Sequence, residues 1–195
     1  MTHPIIPPSK IEIAELEPFE GLGMERIFLV TNAEEAEAAF DELKRAGDVG
    51  FDTESKPTFR KGEKSEGPHV FQFATAERAY IFQSHIRECQ PVIVALLESE
   101  EIIKIGFDLR GDLGHIWTRF GVRPNGIVDL DRSFKKLGYR NPLGAKSAVA
   151  ILFQKRLMKS KSVTTSNWAS PKLSDGQLIY AANDAYAALM VFRVL

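Results

Sequence analysis

Two carboxylates, Asp52 and Glu54, end the apolar run Val49-Gly50-Phe51. Side chains alternate between the faces of a strand, so residues two apart leave the same side. Like charges held that close repel unless one is protonated or a cation lies between them, and an all-oxygen donor set suits hard ions such as Mg²⁺ or Mn²⁺. An Asp-x-Glu arises by chance about once in a chain of this size, since roughly a quarter of the residues of soluble proteins are charged. Its placement gives it weight, because a buried strand that emerges in acid lies where open α/β sheets put their sites. Tyr180 and Asp184 form a second pair, four apart and therefore on one side of a helix. Taken alone, that pair reads as a core tyrosine with a surface aspartate.

The elements that must position these groups follow from periodicity and punctuation. After an N-terminal stretch carrying Pro4, Pro7, Pro8 and Pro18, expected to be an extended arm over residues 1–25, the β-rich Ile27-Phe28-Leu29-Val30 predicts a strand. Asn32 then caps a helix over 33–46, with Ala36, Ala39, Phe40 and Leu43 on one face and Gly47 closing it. The acidic strand follows, then a polar loop and a hairpin of 70–74 with 79–82. Pro91 opens a further helix before a strand at 102–105, and Leu109, Leu113 and Ile116 share a face of a helix ending near Gly121. Helices are expected around 130–137 and 145–153, and Ser174-Asp175-Gly176-Gln177 forms a capping box for a final alanine-rich helix running to Val194. Strands early and helices later argue for one α/β domain, residues 26–195, with a mixed central sheet flanked by helices.

Composition narrows the function classes. The 195 residues include 25 Lys and Arg against 26 Asp and Glu, so a net charge of −1 leaves no general polyanion-binding coat. Any polyanion must be met by a local patch or by bound metal. Cys89 is alone and can form neither an internal disulfide nor a zinc site, and His69, His85 and His115 show no repeated ligand spacing. No run approaches the ~20 apolar residues of a membrane span, and Met1-Thr2-His3-Pro4 lacks a cationic segment followed by an apolar one, so a cytoplasmic protein without membrane contact is expected. A dinucleotide cofactor is not expected either, because no Gly-x-Gly-x-x-Gly turn follows a strand.

Read together, three segments resemble the tyrosine branch of the DEDD exonucleases (DEDDy), the group of ribonuclease D and the exonuclease domain of Werner-type helicases. Phe51-Asp52-Thr53-Glu54 is similar to the first motif of that family. Lys104-Ile105-Gly106-Phe107-Asp108-Leu109-Arg110-Gly111-Asp112 is similar to the second, and Tyr180-Ala181-Ala182-Asn183-Asp184-Ala185-Tyr186 to the third. Ser166-Asn167-Trp168 and Leu173 to Leu178 resemble the stretch leading into the family's last helix. The resemblance implies a ribonuclease H-like, DnaQ-like fold and a 3′→5′ exonuclease acting on DNA or RNA with a free 3′ end and releasing nucleoside 5′-monophosphates. It also implies two divalent cations, Mg²⁺ or Mn²⁺. By motif position Asp52 would bridge both ions, Glu54 and Asp184 would complete one site, Asp112 would help hold the other, and Tyr180 would orient the attacking water. Asp108, the other acid of the second motif, is expected to cap its helix. Phosphate contacts are expected from Arg60, Lys61 and Lys64 after the first motif, and from Lys155, Arg156, Lys159 and Lys161 before the last helix. The rival class, a binding module of the same fold without catalysis, would lack one of the acids, and all four are present with the tyrosine.

Overall fold

In a computed structural model, which describes residues 6–58, 62 and 65–195, the chain forms a three-layer α/β domain. The elements in order are α1 (Lys10–Glu15), β1 (Ile27–Val30), α2 (Ala33–Ala46), β2 (Asp48–Glu54), β3 (Val70–Ala74), β4 (Ala79–Gln83), α3 (Gln90–Glu98), β5 (Ile103–Gly106), α4 (Arg110–Phe120), β6 (Ile127–Asp129), α5 (Leu130–Lys136), α6 (Ala145–Phe153), α7 (Lys161–Thr164) and α8 (Asp175–Val194). The strands lie in the order β1-β4-β3-β2-β5-β6. The central hairpin strands β2, β3 and β4 are antiparallel, while β1 pairs with β4, β5 with β2, and β6 with β5 in parallel. This is the mixed, helix-flanked sheet anticipated from the sequence.

The two faces of the sheet are filled by different residue types. On one, Phe51, Phe71, Phe73 and Phe82 pack against the apolar faces of α2, α3 and α4. The other carries the small or branched Val70, Ala74 and Ile81, and takes α8. The alanines Ala181, Ala182 and Ala185 of α8 are wholly buried, and their short side chains let that helix lie close to β2. Closest approach falls at Gly50, where an added Cβ would lie 1.8 Å from the Ala185 carbonyl oxygen. Further along, Ala187, Ala188, Leu189 and Val191 close a third cluster with α5 and α6.

Several expectations needed adjustment. The arm is not wholly extended, because Ser9 and Glu12 form a capping box that starts α1 after the prolines. Ser9 and Glu12 stand at the Ser-x-x-Glu spacing of a helix start. The arm is tied back at two places: Arg156 Nη1 donates to the Ala14 carbonyl at 2.5 Å, and Asn183 of α8 holds both backbone groups of Leu22, at 2.7 and 3.1 Å. Strand β6 and the single turn α7 are too short to show a period, and both were missed. No helix among the described residues is long and apolar enough to cross a membrane.

The Gly50 contact yields a stability test. Gly50→Ala forces β2 and α8 apart and should destabilise the protein by about 3 kcal/mol. By contrast, Gly114→Ala, a helical position in α4 with open space around its added Cβ, should stabilise by about 0.5–1 kcal/mol. Urea unfolding of the two variants measures both, and equal midpoints would contradict the packing described.

Candidate metal centre

Strand β2 delivers Asp52 and Glu54 to the α8 side of the sheet, while Phe51 and Thr53 point to the other. Helix α8 begins at a capping box in which Ser174 accepts from the Gln177 amide and the Gln177 side chain accepts from the Ser174 amide. From that fixed start its second and third turns place Tyr180 and Asp184 over the end of β2. Single carboxylate oxygens of Asp52, Glu54 and Asp184 lie within 4.8 Å of one another.

Asp112 reaches the site from the opposite layer. It stands in the first turn of α4, and its Oδ1 accepts a short hydrogen bond from the Thr53 hydroxyl. The alternation of β2 thus sends its two acids to α8 and the intervening threonine to the fourth acid, a use of Thr53 the sequence reading missed. Asp108 does not cap α4: Leu109 occupies the cap position without a side-chain bond. Asp108 instead adopts a left-handed backbone, φ 50°, with its amide donating to Asp129 Oδ1 at 3.1 Å. Its side chain lines a cleft of about 210 Å³ with Asp52, Phe107, Lys159 and Asp184.

Crowding the acids in a dry place shifts their ionisation. Burial first, then the neighbouring charges of Asp112 and Asp184, push Asp52 well above the usual carboxylate range. Glu54 is raised to about 9, by burial and then by Asp52. Asp184 and Asp112 are raised mainly by burial. The compensating charge is Lys159, whose Nζ lies 2.6 Å from Asp184 Oδ2 and 5.5 Å from the centre of the Tyr180 ring. Tyr180 is held by burial and by the Asp184 charge at about 12, and its hydroxyl accepts from Thr164 Oγ1 at 3.1 Å. The phenol is therefore protonated across the neutral range.

Of the basic residues expected to meet phosphate, Lys159 alone among the described residues pairs with one of the acids. Lys155 and Lys161 are exposed on either side of it. Arg156 is engaged by the arm, through its guanidinium and through backbone bonds with Glu17 and Phe19. Arg60, Lys61 and Lys64 lie outside the described residues. His85 and His115 are exposed, His115 one turn beyond Asp112 on α4, and His69 Nδ1 accepts from the Lys56 amide at 3.2 Å. Cys89 is buried, with Sγ facing the carbonyl oxygens of Val30 and Asn32.

A helix of small residues laid against an acid-tipped strand, inside this strand order, defines a class of protein. A 3′-5′ exonuclease family model matches residues 27–195, and the chain belongs to that family. It is 32% identical over 149 residues to the bifunctional 3′-5′ exonuclease/ATP-dependent helicase WRN of Mus musculus, covering 75% of this chain and 11% of that one. A 3′-5′ exonuclease of Arabidopsis thaliana is 32% identical over 152 residues, covering 75% and 52%. The chain thus spans from about a tenth to about half of the length of these relatives. The crystal structure of Trypanosoma brucei RNase D in complex with RNA U12 superimposes with a TM-score of 0.75 at 22% identity, covering 86% of this chain and 61% of that one. The shared architecture is the ribonuclease H-like fold.

The ionisation pattern sets the pH response of the metal-free protein. Glu54 titrates near 4.5 when exposed and near 9 in the fold, so folding favours its protonated form. Stability from that preference is complete below pH ~4.5 and is lost as pH rises toward ~9. Lys159, also raised in the fold, adds to this decline only above its ordinary range. Thermal midpoints in EDTA should therefore fall from pH 5 to pH 9, and Glu54→Gln should flatten the decline. A midpoint that rises over this interval would exclude the burial described.

Proposed function

We propose that the chain is a 3′→5′ exonuclease that hydrolyses phosphodiesters at a free 3′ end of DNA or RNA and releases nucleoside 5′-monophosphates. The observation that carries this reading is the convergence of Asp52, Glu54 and Asp184 within 4.8 Å at the end of β2, with the Lys159 ammonium paired to Asp184. A donor set made only of carboxylate oxygens fits hard divalent cations, Mg²⁺ or Mn²⁺. Asp52, Glu54 and Asp184 would hold one ion, and Asp52 with Asp112 the other. Bound divalent cations would supply Lewis acidity, easing ionisation of the attacking water and offsetting charge on the leaving 3′ oxygen.

The chain's own groups position the reactants. Because Tyr180 keeps its proton, it serves as an orienting hydrogen-bond partner for water and not as a base. Thr164 donates to that hydroxyl, which leaves the phenolic proton to point toward Asp184 or toward water. Lys159 lines the acidic cleft, where its ammonium can pair with a phosphate, and Lys155 and Lys161, exposed nearby in sequence, would supply further phosphate contacts.

The direct test uses RNA and DNA strands of one sequence and a recessed duplex end, each labelled at the 5′ terminus. A ladder shortening from the 3′ end in Mg²⁺ or Mn²⁺, abolished by EDTA, is the expected result, and full activity in the chelator would overturn the reading. Asp52→Asn and Asp184→Asn should fold, melt no lower than wild type when metal-free, and lose turnover by orders of magnitude. Tyr180→Phe keeps the ring against Trp168 but removes the hydroxyl, so its single-turnover rate should drop by about 30- to 1000-fold, or about 2–4 kcal/mol. A rate within about threefold of wild type would make Tyr180 a packing residue only.

A further inference from the structure

Gln72 sits in the middle of β3 and is wholly buried, yet neither its amide nitrogen nor its amide oxygen has a hydrogen-bond partner among the described residues. Its orientation follows from its neighbours. Phe71 and Phe73 belong to the cluster under α2, α3 and α4, whereas Val70 and Ala74 pack beneath α8 with Tyr180, Ala181, Ala182 and Ala185. Gln72, between Val70 and Ala74, therefore faces α8. Across the antiparallel ladder it stands directly opposite Asp52, with Ile81 opposite on its other side. Directly opposed Cβ atoms lie about 4.5–5.5 Å apart, so the Gln72 amide and the Asp52 carboxylate are side-chain neighbours under the same helix.

Apart from Asp52, its ladder neighbours on that face are apolar, Val70, Ala74 and Ile81, and the alanines of α8 belong to the same cluster. A primary amide buried among them without a partner opposes folding, and methionine would fill the same volume without that penalty. A polar group placed against stability in this way, one ladder step from an acid at the centre of the site, is explained by a task in the site.

We propose that Gln72 is a positioning residue: its amide N–H₂, unpaired in the structure, turns to donate to the Asp52 carboxylate and fixes the orientation in which that group meets a cation. The inference rests on the reading of Asp52, Glu54 and Asp184 as a cation site. It assigns to β3 a part in the site that lies outside all three motifs.

Three measurements on Gln72→Met separate positioning from packing: the thermal midpoint in EDTA, the Mn²⁺ dissociation constant by titration calorimetry, and kcat against KM on a labelled oligonucleotide. Positioning predicts a midpoint equal to or above wild type, Mn²⁺ binding weakened about tenfold, as for loss of one hydrogen bond to a charged group, and a fall in kcat with little change in KM. Mn²⁺ affinity within twofold of wild type overturns the proposal. So does weakened binding accompanied by a lower midpoint in both Gln72→Met and Gln72→Leu, because that pattern is general loosening. Asp52→Asn is the control for the underlying site: if it binds Mn²⁺ as wild type does, the cation site is wrong, and if it loses Mn²⁺ while Gln72→Met does not, only the role of Gln72 falls.

Discussion

The mutual repulsion of three carboxylates held within 4.8 Å of one another is the constraint around which this fold is arranged. In water such groups would separate, and in a buried cluster they would protonate or draw in positive charge. Here they are prevented from separating because two are fixed by a strand at the centre of the sheet and the third by a long helix pressed onto it. Lys159 offsets part of the charge, and burial keeps the protonated forms favoured in the absence of other cations. Local instability is carried by an extensive core: the phenylalanine layer on one face and the alanine-rich seam on the other supply the cohesion that the site withdraws.

The site also couples the two faces of the sheet. Asp52 and Glu54 look toward α8, while Thr53 between them binds Asp112 from α4 on the far side. A displacement of α4 would thus be felt by the same strand that carries the acids. The arm adds a third tether, since Asn183, next to Asp184 in sequence, clasps the backbone of Leu22. Strand, two helices and arm meet at one point, so the geometry of the acids depends on segments far apart in the chain.

Much of this was readable beforehand, and the reasons differ by element. The strand at Ile27–Val30, the hairpin and helices α2, α4 and α8 announce themselves through caps, alternation and glycine stops, all local signals. The order of the acids was legible because motif resemblance compresses tertiary information into spacing. What stayed hidden depends on contacts between distant residues: the pairing of Lys159 with Asp184, the bond from Thr53 to Asp112, and the diversion of Arg156 from substrate to arm. Asp108 shows a local rule overridden, its backbone turned left-handed by the bond from its amide to Asp129 where propensity favoured a cap. At three and four residues, β6 and α7 are too short to display a period and, unlike Ile27–Val30, are not uninterrupted apolar runs.

The seam at Gly50 bears on how such a chain can diverge. Where the Ala185 carbonyl leaves no room for a single carbon, the register between β2 and α8 admits almost no drift, and with it the spacing of the acids. The first turn of α8 makes no backbone approach of that kind: an added Cβ at Gly176 would come no nearer than 3.8 Å to a neighbour. Change can therefore accumulate at the periphery while the acidic cluster keeps its spacing, so that the same arrangement of carboxylates can stand beside different flanking parts.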